Sequence, residues 1–460
     1  MATALSGRAS RGLRRRSGTD LPGEWGSRLR QRLIAAGPLA ARFGIHLGSR
    51  VDLFSGTDCL ALLEIPDQGP PSHPAKVADL LSRELQARPD ELFAALDPEP
   101  FDSGLVFQWH RARLAEGNDV VVELVHPELL SDLESGALRP IVERLVAAGE
   151  LPAAARDAVG DLERQLDRLA TCDELEKLAD ETEDSRWIEV PRAHRRFCTQ
   201  RIRVLADLDG EAAEAAGDRE DRKTRENRAR RLARAWLALA LSGRVYPSEP
   251  WGRNVRYLPS GKVAFLGGGI GRLPRTAQGD LRDYLAAVAA KNPALAALTF
   301  LDLLPDVPAG RRLRDRLRHT DPFRDRGWDV GGDLFARQVL AHRRTASELG
   351  YDLPEDLAPF YRGLFLLNQE VRALAGDRPV GKLLQQRREA RLLLLFGELR
   401  EEVESGHWSG TLERQLSLVS GLPQKLDRIL TLAAEDDRDE NAGGRSTAAG
   451  DSSRGSAWPA

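Results

Sequence analysis

Apolar and polar positions along the chain fall into two rhythms, and the switches between them mark the elements. Between residues 27 and 100 apolar positions recur at helical spacing, broken by the proline-bearing stretch Pro66 to Pro74. From Leu105 to Arg113 the pattern changes to alternation, Ala115-Glu116-Gly117-Asn118 reads as a turn, and Asp119 to Val125 is a second β-rich run. Two such runs around a Gly/Asn turn predict a hairpin. Residues 128–185 return to leucine and charge at helical spacing. Val190-Pro191 then opens a second β segment, with Arg201 to Leu205 as a strand and Asp209-Gly210 as its stop. Glu220 to Leu241 predicts one long helix, basic at its start and apolar at its end, with Gly243 as its C′ residue. The stretch Arg244 to Asn254 is irregular. Two short strands flank Pro259-Ser260-Gly261 and end in Gly267-Gly268-Gly269.

From Asp280 to about Ala434 nearly everything reads as helix. In Pro359 to Leu374, residues Phe360, Leu364, Leu367, Val371 and Leu374 share one face. Leu383 to Val403 reads as another helix and Gln415 to Ala434 as an amphipathic segment. Glu435 to Ala460 is acidic, then rich in Gly, Ser and Ala, and predicts a disordered tail. No solenoid-like repeat is visible. The expected architecture is α+β: a small β-containing lobe, a long helix, a loop, a hairpin, a glycine turn and a helical lobe. That order is what a protein-kinase-like bilobal fold produces. The expected division is a basic N-terminus (1–32), a helical extension (33–95), an N-lobe (96–210), a C-lobe (211–345), a C-terminal helical region (346–434) and the tail.

Composition narrows the function classes. The chain has 460 residues, and 67 Lys+Arg against 70 Asp+Glu leave a net charge of −3, which argues against a nucleic-acid footprint over the whole surface. Cys59, Cys172 and Cys198 are widely spaced, form no CxxC pair and fit a reducing compartment. No apolar run approaches the roughly 20 residues of a spanning helix. The expected location is cytoplasmic, or peripheral to a membrane. The basic stretch Arg219 to Arg234 could lie against anionic lipid, while the interspersed Glu220, Asp221 and Glu226 favour a solvated face.

Several stretches together carry a family resemblance. They are Gly37-Pro38 followed by Arg42-Phe43-Gly44-Ile45, Ser49-Arg50-Val51-Asp52-Leu53, Glu91-Leu92-Phe93 through Phe101, and Gln108-Trp109-His110-Arg111-Ala112. Val190-Pro191-Arg192, Asp209-Gly210, Glu249-Pro250-Trp251-Gly252-Arg253-Asn254 and Gly271-Arg272-Leu273 follow in order. In this order and spacing the chain resembles the AarF/UbiB family of atypical kinases over roughly residues 35–435. The pieces are similar to that family's KxGQ, STRPDL, ELFASFDPEP, QVHRA, VPR…IDG, DPHPGN and post-DFG segments. The resemblance implies peripheral membrane association and a link to isoprenoid-quinone or other lipid metabolism; no cofactor is expected, and ATP and Mg²⁺ only if the chain is a divergent ATPase or kinase.

The departures point the other way. Phosphoryl transfer needs a lysine on the phosphates, carboxylate and amide ligands for metal, and an acid that orients the nucleophile. The family's VAVK reads Val120-Val121-Val122-Glu123 here, so Glu123 stands at the lysine position and Val121 at the small adenine-side residue. Two unit charges ~4 Å apart interact by ~4 kcal/mol at an effective dielectric of ~20, so repulsion of phosphate is expected at Glu123. The metal aspartate falls on Gly267 or Leu266, neither of which has a ligand side chain. The nucleotide loop becomes Asp102-Ser103-Gly104-Leu105, and Arg42 is the surviving cation of KxGQ. Glu249 and Asn254 keep the catalytic loop's acid and amide, five apart. The partner helix for the lysine position is expected near Thr171-Cys172, with Glu174 and Glu176 nearby, which would oppose Glu123. His110 and His126 are expected in ordinary packing roles.

Three functions follow. The first is a pseudokinase serving as regulator or scaffold for an unidentified protein partner or an active relative. The second is a divergent ATPase or small-molecule kinase using Glu249, Asn254 and a re-sited metal. The third is a lipid-binding protein with an apolar pocket between the lobes.

Overall fold

Four helices of eight or more residues precede the sheet in this computed structural model, which describes residues 22–212, 221–289, 292–304, 311–321, 334–351 and 353–376. They are α1 (Glu24–Ala35), α2 (Pro38–Gly48), α3 (Gly56–Leu63) and α4 (Pro74–Leu85). Proline opens α2 and α4, where its missing N–H costs nothing. Nearly every residue of α2 is buried, including Phe43, Ile45, His46 and Leu47. It therefore lies between other elements instead of on the surface. The expectations for Leu383 to Val403, for Gln415 to Ala434, for the tail and for residues 1–21 lie outside the described residues.

The sheet follows: β1 (Phe93–Leu96), β2 (Asp102–Ser103), β3 (Phe107–Leu114) and β4 (Asp119–Val125). After α5 (Leu138–Ala147), α6 (Ala155–Leu166) and α7 (Arg168–Glu181) come β5 (Ile188–Glu189) and β6 (Ile202–Ala206). The five-stranded antiparallel sheet runs β1-β3-β4-β6, with β2 also on β3. The expected hairpin is β3–β4. The helical reading of residues 27–100 fails at its end, because Phe93–Leu96 is a strand at the sheet's edge. Alternation sorts β4 cleanly. Val120, Val122 and Leu124 point into a small core with Val77, Leu80, Leu81 and Phe197. Val121 and Glu123 take the opposite face.

Asp167 joins α6 to α7. Its Oδ1 accepts from the N–H groups of Leu169 (2.9 Å) and Ala170 (3.0 Å), which fixes the first turn of α7. The helical lobe begins with α8 (Arg222–Ser242) and continues through α9 (Arg275–Ala289), α10 (Pro293–Asp302), α11 (Arg311–Arg318), α12 (Leu334–Glu348) and α13 (Ala358–Ala375). Gly243 does end α8, but its φ of −77° is extended and not left-handed. Glycine is needed there for room: a Cβ would stand 2.7 Å from the Leu239 carbonyl oxygen. The core of this lobe stacks Trp236 of α8 on Phe360 of α13, ring centroids 5.3 Å apart.

Between α8 and α9 lie short strands β7 (Tyr246–Pro247), β8 (Val255–Tyr257), β9 (Val263–Phe265) and β10 (Ile270–Gly271). The β8–β9 hairpin turns at Pro259-Ser260-Gly261, and β7 pairs with β10. These pairings bring the 249–254 loop and the Gly267–Gly269 turn side by side, beneath the cleft face of the larger sheet.

Candidate functional site

Glu123 sits at the centre of the cleft face. Trp109 on β3 and Arg203 on β6 oppose it in register. It is only 3% exposed. Arg168 Nη1 donates to its Oε1 at 2.8 Å, and Arg203 Nε to its Oε2 at 2.7 Å. Burial alone would raise this carboxyl, yet the Arg203 and Arg168 guanidinia hold it below the ordinary glutamate range. Burial pulls the Arg168 guanidinium down to about 10, which leaves it charged at neutral pH. The Phe107 ring covers it, 4.0 Å from guanidinium carbon to centroid.

Two expectations are corrected here. The partner on α7 is Arg168, one turn before Thr171-Cys172, and it attracts Glu123. Glu123 is therefore not a bare anion repelling phosphate. It is the shared acceptor of two cations. Arg168 opens α7, where a cation opposes the helix dipole, so the ion pair and not the helix accounts for it. Val121, half-buried on the same face, lies opposite Leu205 and Arg111.

The glycine turn packs against this cluster. Gly267, Gly268 and Gly269 have φ of 149°, 87° and 78°, a region that side chains rarely adopt. A Cβ on Gly267 would stand 2.9 Å from Arg203 Nη1, and one on Gly268 would stand 2.5 Å from Asn254 Nδ2. Leu266 donates its N–H to the Asn254 carbonyl at 2.9 Å. The Arg203 guanidinium thus packs directly against the Gly267 backbone.

Glu249 is 6% exposed on the neighbouring loop. Gln165 Nε2 of α6 donates to its Oε1 at 2.7 Å. From α2, His46 Nδ1 lies 3.6 Å and Arg42 Nη2 3.8 Å from its oxygens. Burial would raise the Glu249 carboxyl, but His46, Arg42 and Gln165 hold it low, while burial lowers His46. Asn254 Nδ2 donates to the Glu249 carbonyl at 3.2 Å. Glu370 of α13 supports the loop by accepting from the Gly252 N–H at 2.8 Å. This donor set does not fit Mg²⁺. The one loop carboxylate faces cations and amide donors, and the Arg203 guanidinium packs against the neighbouring glycine turn. Among the described residues no group of three or more His, Cys, Asp and Glu could hold a metal ion.

Residues 102–104, the expected nucleotide loop, are tied down as well. Arg253 grips Asp102 with Nε (2.9 Å) and Nη2 (2.8 Å), and its Nη1 lies 2.9 Å from Asp67 Oδ2. Ser103 accepts the Gly69 N–H through its carbonyl at 3.2 Å, and Gly104 accepts from His126 Nε2 at 2.9 Å. His110 donates from Nδ1 to the Asp97 carbonyl at 2.8 Å. Both histidines therefore have local partners.

With this geometry in view, residues 64–297, just over half the chain, match the family described as ABC1 atypical kinase-like domain. The chain belongs to that family. It is 31% identical over 202 residues to "Probable protein kinase UbiB" of Pseudomonas putida, covering 40% of this chain and 36% of that protein. The like-named Pseudomonas aeruginosa protein is 30% identical over 213 residues, covering 42% and 40%. The match thus spans little more than a third of the length of these relatives. A solved complex of Rv3197 with erythromycin from Mycobacterium tuberculosis aligns at TM-score 0.48 and 16% identity, over 67% of this chain and 85% of that one. The ABC1 domain here is an α+β, kinase-like bilobal fold. No helix among its described residues is long and apolar enough to cross a membrane.

Sequence reasoning missed Arg168, Arg203, His46, Gln165 and Arg253. The signal for Arg168 was Asp167, an N-cap that makes the next residue the first of the helix. Arg203 alternates with the core residues Ile202 and Val204 on a predicted strand, which gave its face but not its partner.

Proposed function

We propose that this ABC1-family chain is a pseudokinase, a kinase-like scaffold that regulates or assembles a protein partner, for which an active relative is the first candidate. The supporting observation is the Arg168–Glu123–Arg203 cluster. The cations that could meet a triphosphate are both spent on a buried carboxylate, and Arg203 packs against the Gly267 backbone. The division into lobes at 96–210 and 211–345, the placement of Val121, Glu123, Ser103, Gly104, Gly267 and Arg42 at a degenerate nucleotide site, and the link to isoprenoid-quinone or lipid metabolism belong to the same proposal.

One observation favours a second reading, a divergent ATPase. Glu249 stays ionised in spite of burial and keeps Asn254 at its side. A thermal-shift series with ATP, ADP and Mg²⁺ separates the two. The pseudokinase reading expects no change in Tm under any combination. A Mg²⁺-dependent rise, with phosphate release abolished by Glu249→Gln, would establish the ATPase instead. Lipid found by mass spectrometry in the purified protein would point to the lipid-binding role.

A further inference from the structure

Arg253 and Asp102 are both departures from the family pattern, and they meet. Arg253 stands at the glycine of DPHPGN, and Asp102 begins the segment that replaces the alanine-rich nucleotide loop. One belongs to the helical lobe's loop and the other to the sheet, 151 positions apart in sequence. The pair is bidentate, at 2.9 and 2.8 Å. A third segment completes the contact. Asp67, between α3 and α4, places Oδ2 2.9 Å from Arg253 Nη1, while its Oδ1 accepts the Leu105 N–H at 3.0 Å. The Asp67 carbonyl also accepts from Arg253 Nη1. The Trp109 ring backs the guanidinium, 5.1 Å from its carbon.

We infer that Arg253 is a clasp that holds the cleft's mouth shut by binding the 102–105 loop and the 67–69 segment to the 249–254 loop. In an active kinase the loop over the phosphates has to move as ligand enters and leaves. Here that loop is fastened from both ends, by Arg253 on Asp102 and by Asp67 on Leu105. The Arg253 side chain keeps 24% exposure and those of Asp102 and Asp67 31% and 37%, so the contact lies at the rim and can open without unfolding a core. The Asp102 carboxyl, which burial would raise, is held low by Arg253, so the clasp is charged on both sides at neutral pH. The inference rests on the pseudokinase reading for the identity of the cleft, and it names how access to that cleft is regulated.

Hydrogen exchange on the full-length chain tests it. Arg253→Ala should raise exchange about tenfold or more in two places at once, residues 102–106 and 250–254. Asp102→Asn should show the same two-loop pattern at smaller amplitude, because Arg253 keeps Asp67, and the double variant should match Arg253→Ala, because that single already removes the Asp102 contact. Arg253→Lys, which keeps the charge and loses the fork, should fall between, and it serves if the alanine variant does not fold. Arg113→Ala breaks an exposed pair with Asp119 at the hairpin tip and should leave both loops unchanged. Exchange confined to the substituted loop, or additive effects in the double variant, would overturn the clasp. Nucleotide binding to the unaltered protein is read separately. If it occurs while the two loops still open together, the clasp stands and the inert reading falls.

Discussion

At the scale of single residues, the decisive fact is that one carboxylate serves two guanidinia in a dry place. The side chains of Glu123, Arg168 and Arg203 are 4–8% exposed. Removing one partner of such a group costs about 3–5 kcal/mol, because the remainder is left buried and uncompensated. The costs should be unequal here. Glu123→Ala strands two cations and should lose about 3–5 kcal/mol, read as a shift in urea midpoint. Arg168→Met leaves Arg203 on the carboxylate and should lose clearly less. The double variant should cost less than the sum of the two. Equal losses below about 1 kcal/mol would mean that the cluster is solvated.

At the scale of elements, α7 carries Arg168 only because Asp167 starts the helix there. Asp167→Ala should lose about 1 kcal/mol of stability, measured by thermal or urea unfolding, since two N–H groups of the first turn lose their acceptor. Elements were also the level at which the sequence was most readable. The β3–β4 hairpin, the long α8, the β8–β9 hairpin and α13 all follow from local rhythm and turn chemistry. Phe93–Leu96 was not readable. Its Phe-Ala-Ala-Leu composition suits a helix, and only pairing with β3 makes it a strand. The site divides in the same way. Glu123, Glu249, Asn254 and Gly267 could be singled out because the family resemblance aligns each with a motif position. Their partners come from other elements: Arg203 from β6, Gln165 from α6, His46 from α2. Packing sets those meetings, and no spacing in one segment encodes them. Reading α7 one turn late was enough to turn an attraction into a repulsion.

At the scale of the whole molecule, acid should act first through histidines spread over every layer. His46 on α2, His110 and His126 on or beside the sheet, and His342 on α12 are all buried. Burial lowers each of them from the ordinary histidine value near 6.5. For His342 the value is about 4. Its Nε2 is 2.7 Å from Gln338 Nε2, which donates to it, and its Nδ1 is 2.8 Å from the Tyr284 hydroxyl. The neutral ring suits both contacts, and a proton on Nε2 would break the first. A lowered folded value means that the unfolded chain takes up the proton first. The stability is therefore fully present above pH 6.5 and is lost as pH falls from there toward 4. The depressed carboxylates Glu123, Glu249 and Asp102 have the same sign but act only below the ordinary carboxylate range. Losses above pH 5 thus belong to the histidines. Between pH 6 and 5 the unaltered chain should lose about 1 kcal/mol more than His342→Gln, by urea midpoints at each pH. Parallel pH profiles would show that this ring is already charged or solvated in the folded lobe.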